Sequence, residues 1–111
     1  MFMCLAGEQR APTAKSVAES IIQERGLNIA VAEPASYAVF ERFKDFVMPN
    51  LKTYNRIFVM EEYMAAGLIA AGIKKERIEC LDIEDHYEKD DSRLIAILRE
   101  KLEHLMKQRR F

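Results

Sequence analysis

The stretch Met3-Cys4-Leu5-Ala6-Gly7-Glu8-Gln9-Arg10-Ala11-Pro12-Thr13 constrains this chain more than any other. Met1-Phe2-Met3 is apolar and reads as the end of a buried strand. A cysteine follows, then five residues, then an arginine. Pro12 then opens an amphipathic run, as proline does at the first position of a helix. The order is strand, tight loop, helix. A thiol stands at the end of the strand and a guanidinium at the end of the loop.

That arrangement suits a tetrahedral oxyanion. Converging backbone N–H groups backed by a helix N-terminus make an anion site. The planar fork of Arg10 can clamp two oxygens of one anion. Cys4 lies in the same positive field, which favours its thiolate. A thiolate beneath a bound phosphate can attack phosphorus in line and form a phosphocysteine. The same residues also fit a buried strand cysteine with an arginine nearby, since free cysteine often serves as a small core hydrophobe.

The 111 residues predict one domain, 1–111, with a single core. Half are apolar and 32% are charged, the balance of a soluble globular chain. A net charge of −1 offers no global attraction to nucleic acid or to an anionic membrane. No apolar run has the length of a membrane span. The start lacks a basic segment followed by a long apolar one, so no export signal is expected. The two cysteines are therefore expected to be reduced, in the cytoplasm. Neither has a cysteine or histidine at metal-ligand spacing, and His86 and His104 are isolated, so no metal site is expected.

Ala14, Val17, Ala18, Ile21 and Ile22 form a helical stripe, and Gly26 suits a helix terminus, which predicts a helix over 12–25. Residues 27–32 read as a short strand, broken by Glu33-Pro34-Ala35-Ser36. Val39, Phe40, Phe43, Phe46 and Val47 have helical spacing and are expected in the core, with Pro49-Asn50 ending the element. Residues 55–60 form the clearest strand. Glu61 and Glu62 suit the first turn of the helix that follows, which Gly72 stops. Residues 77–83 read as a last strand, and 84–91 as an acidic loop. Asp91 or Ser92 caps a final helix buried through Leu94, Ile95, Leu98, Leu102 and Leu105. Cys80 reads as a strand core residue. Strand and helix alternate four times, which predicts a three-layer α/β sandwich: a four-stranded parallel sheet with helices on both faces. Ligands bind such sheets beyond the carboxyl ends of the strands. Cys4 and the acidic loop would share that edge.

At the level of motifs the chain resembles the low-molecular-weight protein tyrosine phosphatase family. Met3-Cys4-Leu5 through Arg10-Ala11-Pro12-Thr13-Ala14-Lys15 is similar to that family's Cys-x5-Arg-Ser-Pro-x-Ala-Glu opening. Ile57-Phe58-Val59-Met60-Glu61 resembles its strand with a Val-Met-Glu ending. Leu81-Asp82-Ile83-Glu84-Asp85-His86-Tyr87 resembles its late Asp-Pro-Tyr loop. A compact group of predicted tyrosine phosphatases of about this length is more similar still. The resemblance covers most of the chain and is weakest over 31–54. It implies a phosphotyrosine protein phosphatase I-like fold. It further implies a hydrolase acting on a phosphorylated protein or a small aryl phosphate, releasing inorganic phosphate without a cofactor. Cys4 would be the nucleophile and Arg10 the phosphoryl clamp. Leu5, Ala6, Gly7, Glu8 and Gln9 would form the phosphate cradle. Asp85 would be the general acid and then the base, and Tyr87 a rim residue packing on the substrate ring. Ala11 stands where the family has a hydroxyl residue, and Thr13 is two positions further on.

Three other functions remain open. A thiol-dependent arsenate reductase would use Cys4 but has only Cys80 as a further thiol. A phosphate- or phosphoprotein-binding module without useful turnover is motivated by Ala11 and Glu8. A phosphocysteine carrier of a sugar transport system shares the cysteine after the first strand, but Arg10 and the Asp85 segment argue against it.

Overall fold

A computed structural model describes residues 1–111. The chain runs β1 (Phe2–Cys4), α1 (Arg10–Arg25), β2 (Ala35–Ser36), α2 (Tyr37–Arg42), α3 (Lys44–Leu51), β3 (Ile57–Val59), α4 (Glu62–Ala70), β4 (Ile78–Cys80) and α5 (Ser92–Lys107). The sheet is parallel with order β2-β1-β3-β4. β1 to β2 steps one way across the sheet; β2 to β3 and β3 to β4 step the other way. Right-handed crossovers therefore put α1 on one face and α2, α3 and α4 on the opposite face. α5 returns to pack along α1.

The periodic segments form as their patterns require. Ala14, Val17, Ala18 and Ile21 of α1 meet Leu94, Leu98, Leu102 and Leu105 of α5, all buried. Each buried leucine contributes roughly 1.5–3 kcal/mol. Ile95, placed on the same stripe from sequence, is exposed. Gly26 closes α1 in the left-handed conformation (φ 62°), and the Asp91 carboxylate accepts the Arg93 N–H at 2.8 Å to cap α5. Phe2 and Phe58 stack across the first and third strands, ring centroids 4.9 Å apart.

Four boundaries differ from the sequence reading. α1 begins at Arg10, so Pro12 lies at its third position. The first turn has no intrahelical use for its N–H groups, so proline is tolerated there as well. Residues 27–34 are not a strand; β2 is Ala35–Ser36, where a break was expected. Its register, Met3 with Ala35 and Cys4 with Ser36, shows why: only the last two residues of β1 are paired on that side. Residues 28–32 run outside the sheet and line a cavity against Met1 and Phe2.

The aromatic run is two helices, α2 and α3, broken at Phe43 (φ −128°, ψ 44°), and Pro49 lies inside α3. Only Phe40 of its stripe is fully buried. Val39, Phe43 and Phe46 are exposed, Phe46 to 86%. The break at Phe43 interrupts the helical stripe, which the periodicity alone does not reveal, and α3 meets the core through Leu51, Val47 and Met48 instead. Finally, β4 ends at Cys80. Pairing with β3 nevertheless continues, because Leu81 and Ile83 donate to the carbonyls of Val59 and Met60 at 2.8 Å on either side of a left-handed Asp82 (φ 54°).

Candidate active site

The carboxyl edge of the sheet is assembled around the loop between β1 and α1. Cys4 is the last residue of β1 and is buried, and its Sγ accepts the Gly7 N–H at 3.2 Å. Gly7 has φ 75°, a conformation that costs other residues roughly 1–2 kcal/mol. A Cβ there would lie 3.2 Å from the carbonyl carbon and oxygen of Ala35. Glycine is thus required twice, by the backbone turn and by the approach of β2. The Leu5 carbonyl accepts from the Ala38 N–H at 3.0 Å and the Ser36 hydroxyl at 2.9 Å, which pins the loop to the start of α2. Leu5, Ala6, Glu8 and Gln9 are exposed, so the Glu8 carboxylate is in solvent.

Arg10 opens α1 and is 1% exposed, the largest fully buried side chain of the protein. Burial of a guanidinium demands partners. Nη1 donates to Glu61 Oε1 at 2.6 Å and to the Ile83 carbonyl at 2.7 Å, while Nε lies 3.6 Å from Asp85 Oδ1. The ends of three strands thus converge: Arg10 after β1 is met by Glu61 after β3 and by Ile83 and Asp85 after β4. Because Nη1 is committed, the Nε–Nη2 edge is the edge turned toward Asp85. A bidentate anion fits that edge.

The acidic loop is held from below. The Thr13 hydroxyl donates to the Gln9 carbonyl at 2.8 Å and accepts the Asp90 N–H at 2.9 Å. Thr13 is spent on this link rather than on Cys4. Asp90 is itself left-handed, φ 61°. Asp85 is exposed at the loop's open end. Tyr87 is half-buried against the core, with the His86 ring 4.1 Å away and the Arg93 guanidinium carbon 5.5 Å from its centroid.

The structure thus brings Cys4, Arg10 and Asp85 to one edge, with Tyr87 two residues past Asp85. Two participants escaped the sequence reading. Glu61 was read as a first-turn acid of α4; it stands just before that helix without a side-chain cap bond, and its carboxylate holds Arg10 instead. Tyr63, in the first turn of α4, stands edge-on to Tyr37, centroids 5.5 Å apart. An acid directly after the clearest apolar strand was the available signal for Glu61. Tyr63 carried none.

This architecture can be compared with solved structures. A low-molecular-weight phosphotyrosine phosphatase from Vibrio cholerae O395 superposes with a TM-score of 0.71 at 15% identity, covering 96% of this chain and 93% of the other. The fold is that of the low-molecular-weight protein tyrosine phosphatases. A protein tyrosine phosphatase from Entamoeba histolytica, in a product-state mimic, gives a TM-score of 0.69 at 20% identity over 96% of this chain and 91% of the other. One from Bacillus subtilis gives 0.61 at 16% over 97% of each. No protein-family model and no curated protein matches the sequence.

A cavity of about 480 Å³ lies elsewhere. It opens at the amino edge of the sheet, lined by Phe2, Ile29, Val31, Tyr54 and Phe58 among others. No helix is long and apolar enough to cross a membrane.

Proposed function

We propose that the protein hydrolyses phosphotyrosine or a similar aryl phosphate through a phosphocysteine on Cys4. The observation that carries this reading is a buried thiol accepting a loop amide, in a loop closed by a buried arginine, on a phosphatase fold. The phosphoryl group binds the Nε–Nη2 edge of Arg10 and the amides of residues 5–9, displacing Asp85 from Nε. Cys4 Sγ attacks phosphorus and the bond to the aryl oxygen breaks. The departing oxygen takes the proton of the Asp85 carboxyl. Asp85 then removes a proton from water, whose oxygen attacks phosphorus, and the S–P bond breaks to regenerate the thiolate and release inorganic phosphate. Arg10 and the loop amides stabilise the charge on the transferring group. Tyr87 completes the rim beside Asp85. The partners are a phosphorylated protein or a small aryl phosphate, and the compartment we assign is the cytoplasm.

A second reading, phosphate or phosphoprotein binding without useful turnover, is favoured by the buried Ala11, which gives the thiol no hydroxyl partner. Hydrolysis of p-nitrophenyl phosphate by reduced wild type, Cys4→Ser and Asp85→Asn separates the two. The phosphatase reading expects turnover that vanishes in Cys4→Ser and falls sharply in Asp85→Asn. A folded wild type that binds phosphate without turnover contradicts it and leaves the binding module.

A further inference from the structure

We infer that Tyr63 is the aromatic wall of the site, packing its ring on the aryl group of the substrate and setting a preference for aryl over alkyl phosphates. This rests on the reading of Cys4 and Arg10 as a phosphoryl site and adds the residue that contacts the rest of the substrate.

Glu61 stands just before α4 and is bound to Arg10, and Tyr63 follows two residues later in the first turn of that helix. Its ring meets the ring of Tyr37 edge-on. Tyr37 directly follows Ser36, whose hydroxyl pins the Cys4 loop through the Leu5 carbonyl. Tyr63 is therefore tied to both sides of the site, two residues from the partner of Arg10 and in ring contact with the residue that follows the anchor of the cysteine loop. Its phenol is raised above its ordinary value by burial first and then by Glu61, with Arg10 opposing and Asp85 adding, so the charged groups of the site all reach it. Tyr37 is itself buried and locked against α4. A Cβ on Gly67 would sit 1.8 Å from its hydroxyl oxygen, so only glycine lets the two helices meet this way.

A substrate ring needs a free aromatic face, and the two tyrosines nearest the site differ in that respect. Tyr87 carries the His86 ring and the Arg93 guanidinium and packs on the core. Tyr63 is 47% exposed, and its ring meets that of Tyr37 edge-on. Offset or edge-to-face packing on such a ring is favourable beyond the area it buries.

The test is calorimetric binding of phenylphosphonate and of inorganic phosphate to wild type, Tyr63→Ala, Tyr63→Phe and Tyr87→Ala. Wild type should prefer phenylphosphonate. Tyr63→Ala should weaken phenylphosphonate roughly three- to tenfold and change inorganic phosphate less than about twofold. Tyr63→Phe should retain the preference, because the ring and not the hydroxyl makes the contact. Equal binding of phenylphosphonate by Tyr63→Ala and wild type overturns the inference, as does loss of the preference in Tyr87→Ala alone. In those cases phosphate still binds and the phosphoryl site stands. If neither ligand binds wild type, the phosphoryl reading falls and this inference with it.

Discussion

Arg10 and Glu61 are 51 positions apart in the chain and 2.6 Å apart in space, Nη1 to Oε1. The pair is asymmetric: the arginine is sealed from solvent, and a third of the glutamate side chain is exposed. Glu61 thereby fixes which edge of the guanidinium faces Asp85. Glu61→Ala removes a hydrogen bond to a buried charge, which costs about 1.5–3 kcal/mol. Urea unfolding should show that loss. Oxyanion affinity should fall along with it, because the guanidinium loses its orientation. Glu61→Gln keeps an acceptor and should lie between the two. A Glu61→Ala protein as stable as wild type would show that the Ile83 carbonyl alone holds Arg10.

Gly7 makes a sharper prediction. Gly7→Ala combines a left-handed backbone with a contact against Ala35, so the loop must shift. Phosphate affinity should drop at least about tenfold, in line with 1–2 kcal/mol of backbone strain or more. Circular dichroism and the unfolding slope should remain native, because the loop is exposed and the core is not touched. Undiminished phosphate binding would remove residues 5–9 from the cradle.

Thr13→Val tests the link beneath the acidic loop. The substitution keeps the buried volume and deletes the hydroxyl that joins Gln9 to Asp90. Leaving these groups without that partner should cost about 1–3 kcal/mol. The more specific readout is the Asp90 amide, whose hydrogen exchange should accelerate well beyond that of core amides. Unchanged exchange at Asp90 would mean the loop is held by α5 alone.

Much of this was legible because it is local. Cys4, Gly7 and Arg10 lie within one short loop, and the strand before it and helix after it are set by adjacent residues. Asp91 and Gly26 cap their helices for the same reason. What escaped depends on partners distant in sequence. Residues 27–32 have a strand's composition, but β1 offers them no pairing, so they line a cavity. Val39, Phe43 and Phe46 keep helical spacing, yet they face solvent: the backbone breaks at Phe43, and Phe40 alone of the stripe is fully buried. Glu61 and Tyr63 join the site only because β3 lies beside β1 and delivers α4 to the same edge. Asp85 was marked out from its acidic neighbours by resemblance, and only the fold brings it within reach of Arg10.

Cys80 should be a sluggish thiol. Burial, with a further contribution from Glu62, pushes its thiol from 9.0 up to about 11. Alkylation by iodoacetamide at neutral pH should therefore be slow at Cys80. Between about pH 9 and 11 the folded protein keeps a proton that the unfolded chain releases, so stability must fall as pH rises through that window. Cys80→Ala should flatten the fall. A profile identical to wild type would mean that Cys80 is not the titrating group.

The central claim is a covalent bond between Cys4 and phosphorus. The most direct measurement is rapid acid quenching of the protein mixed with p-nitrophenyl phosphate, followed by intact-mass and peptide mass spectrometry. Asp85→Asn is the variant to use. The nitrophenolate leaves without help from an acid, but the second step lacks its base, so the intermediate should accumulate. The account predicts a single phosphoryl group on Cys4, absent in Cys4→Ser. Hydrolysis that proceeds without any phosphoryl group on Cys4, or that survives in Cys4→Ser, would contradict it.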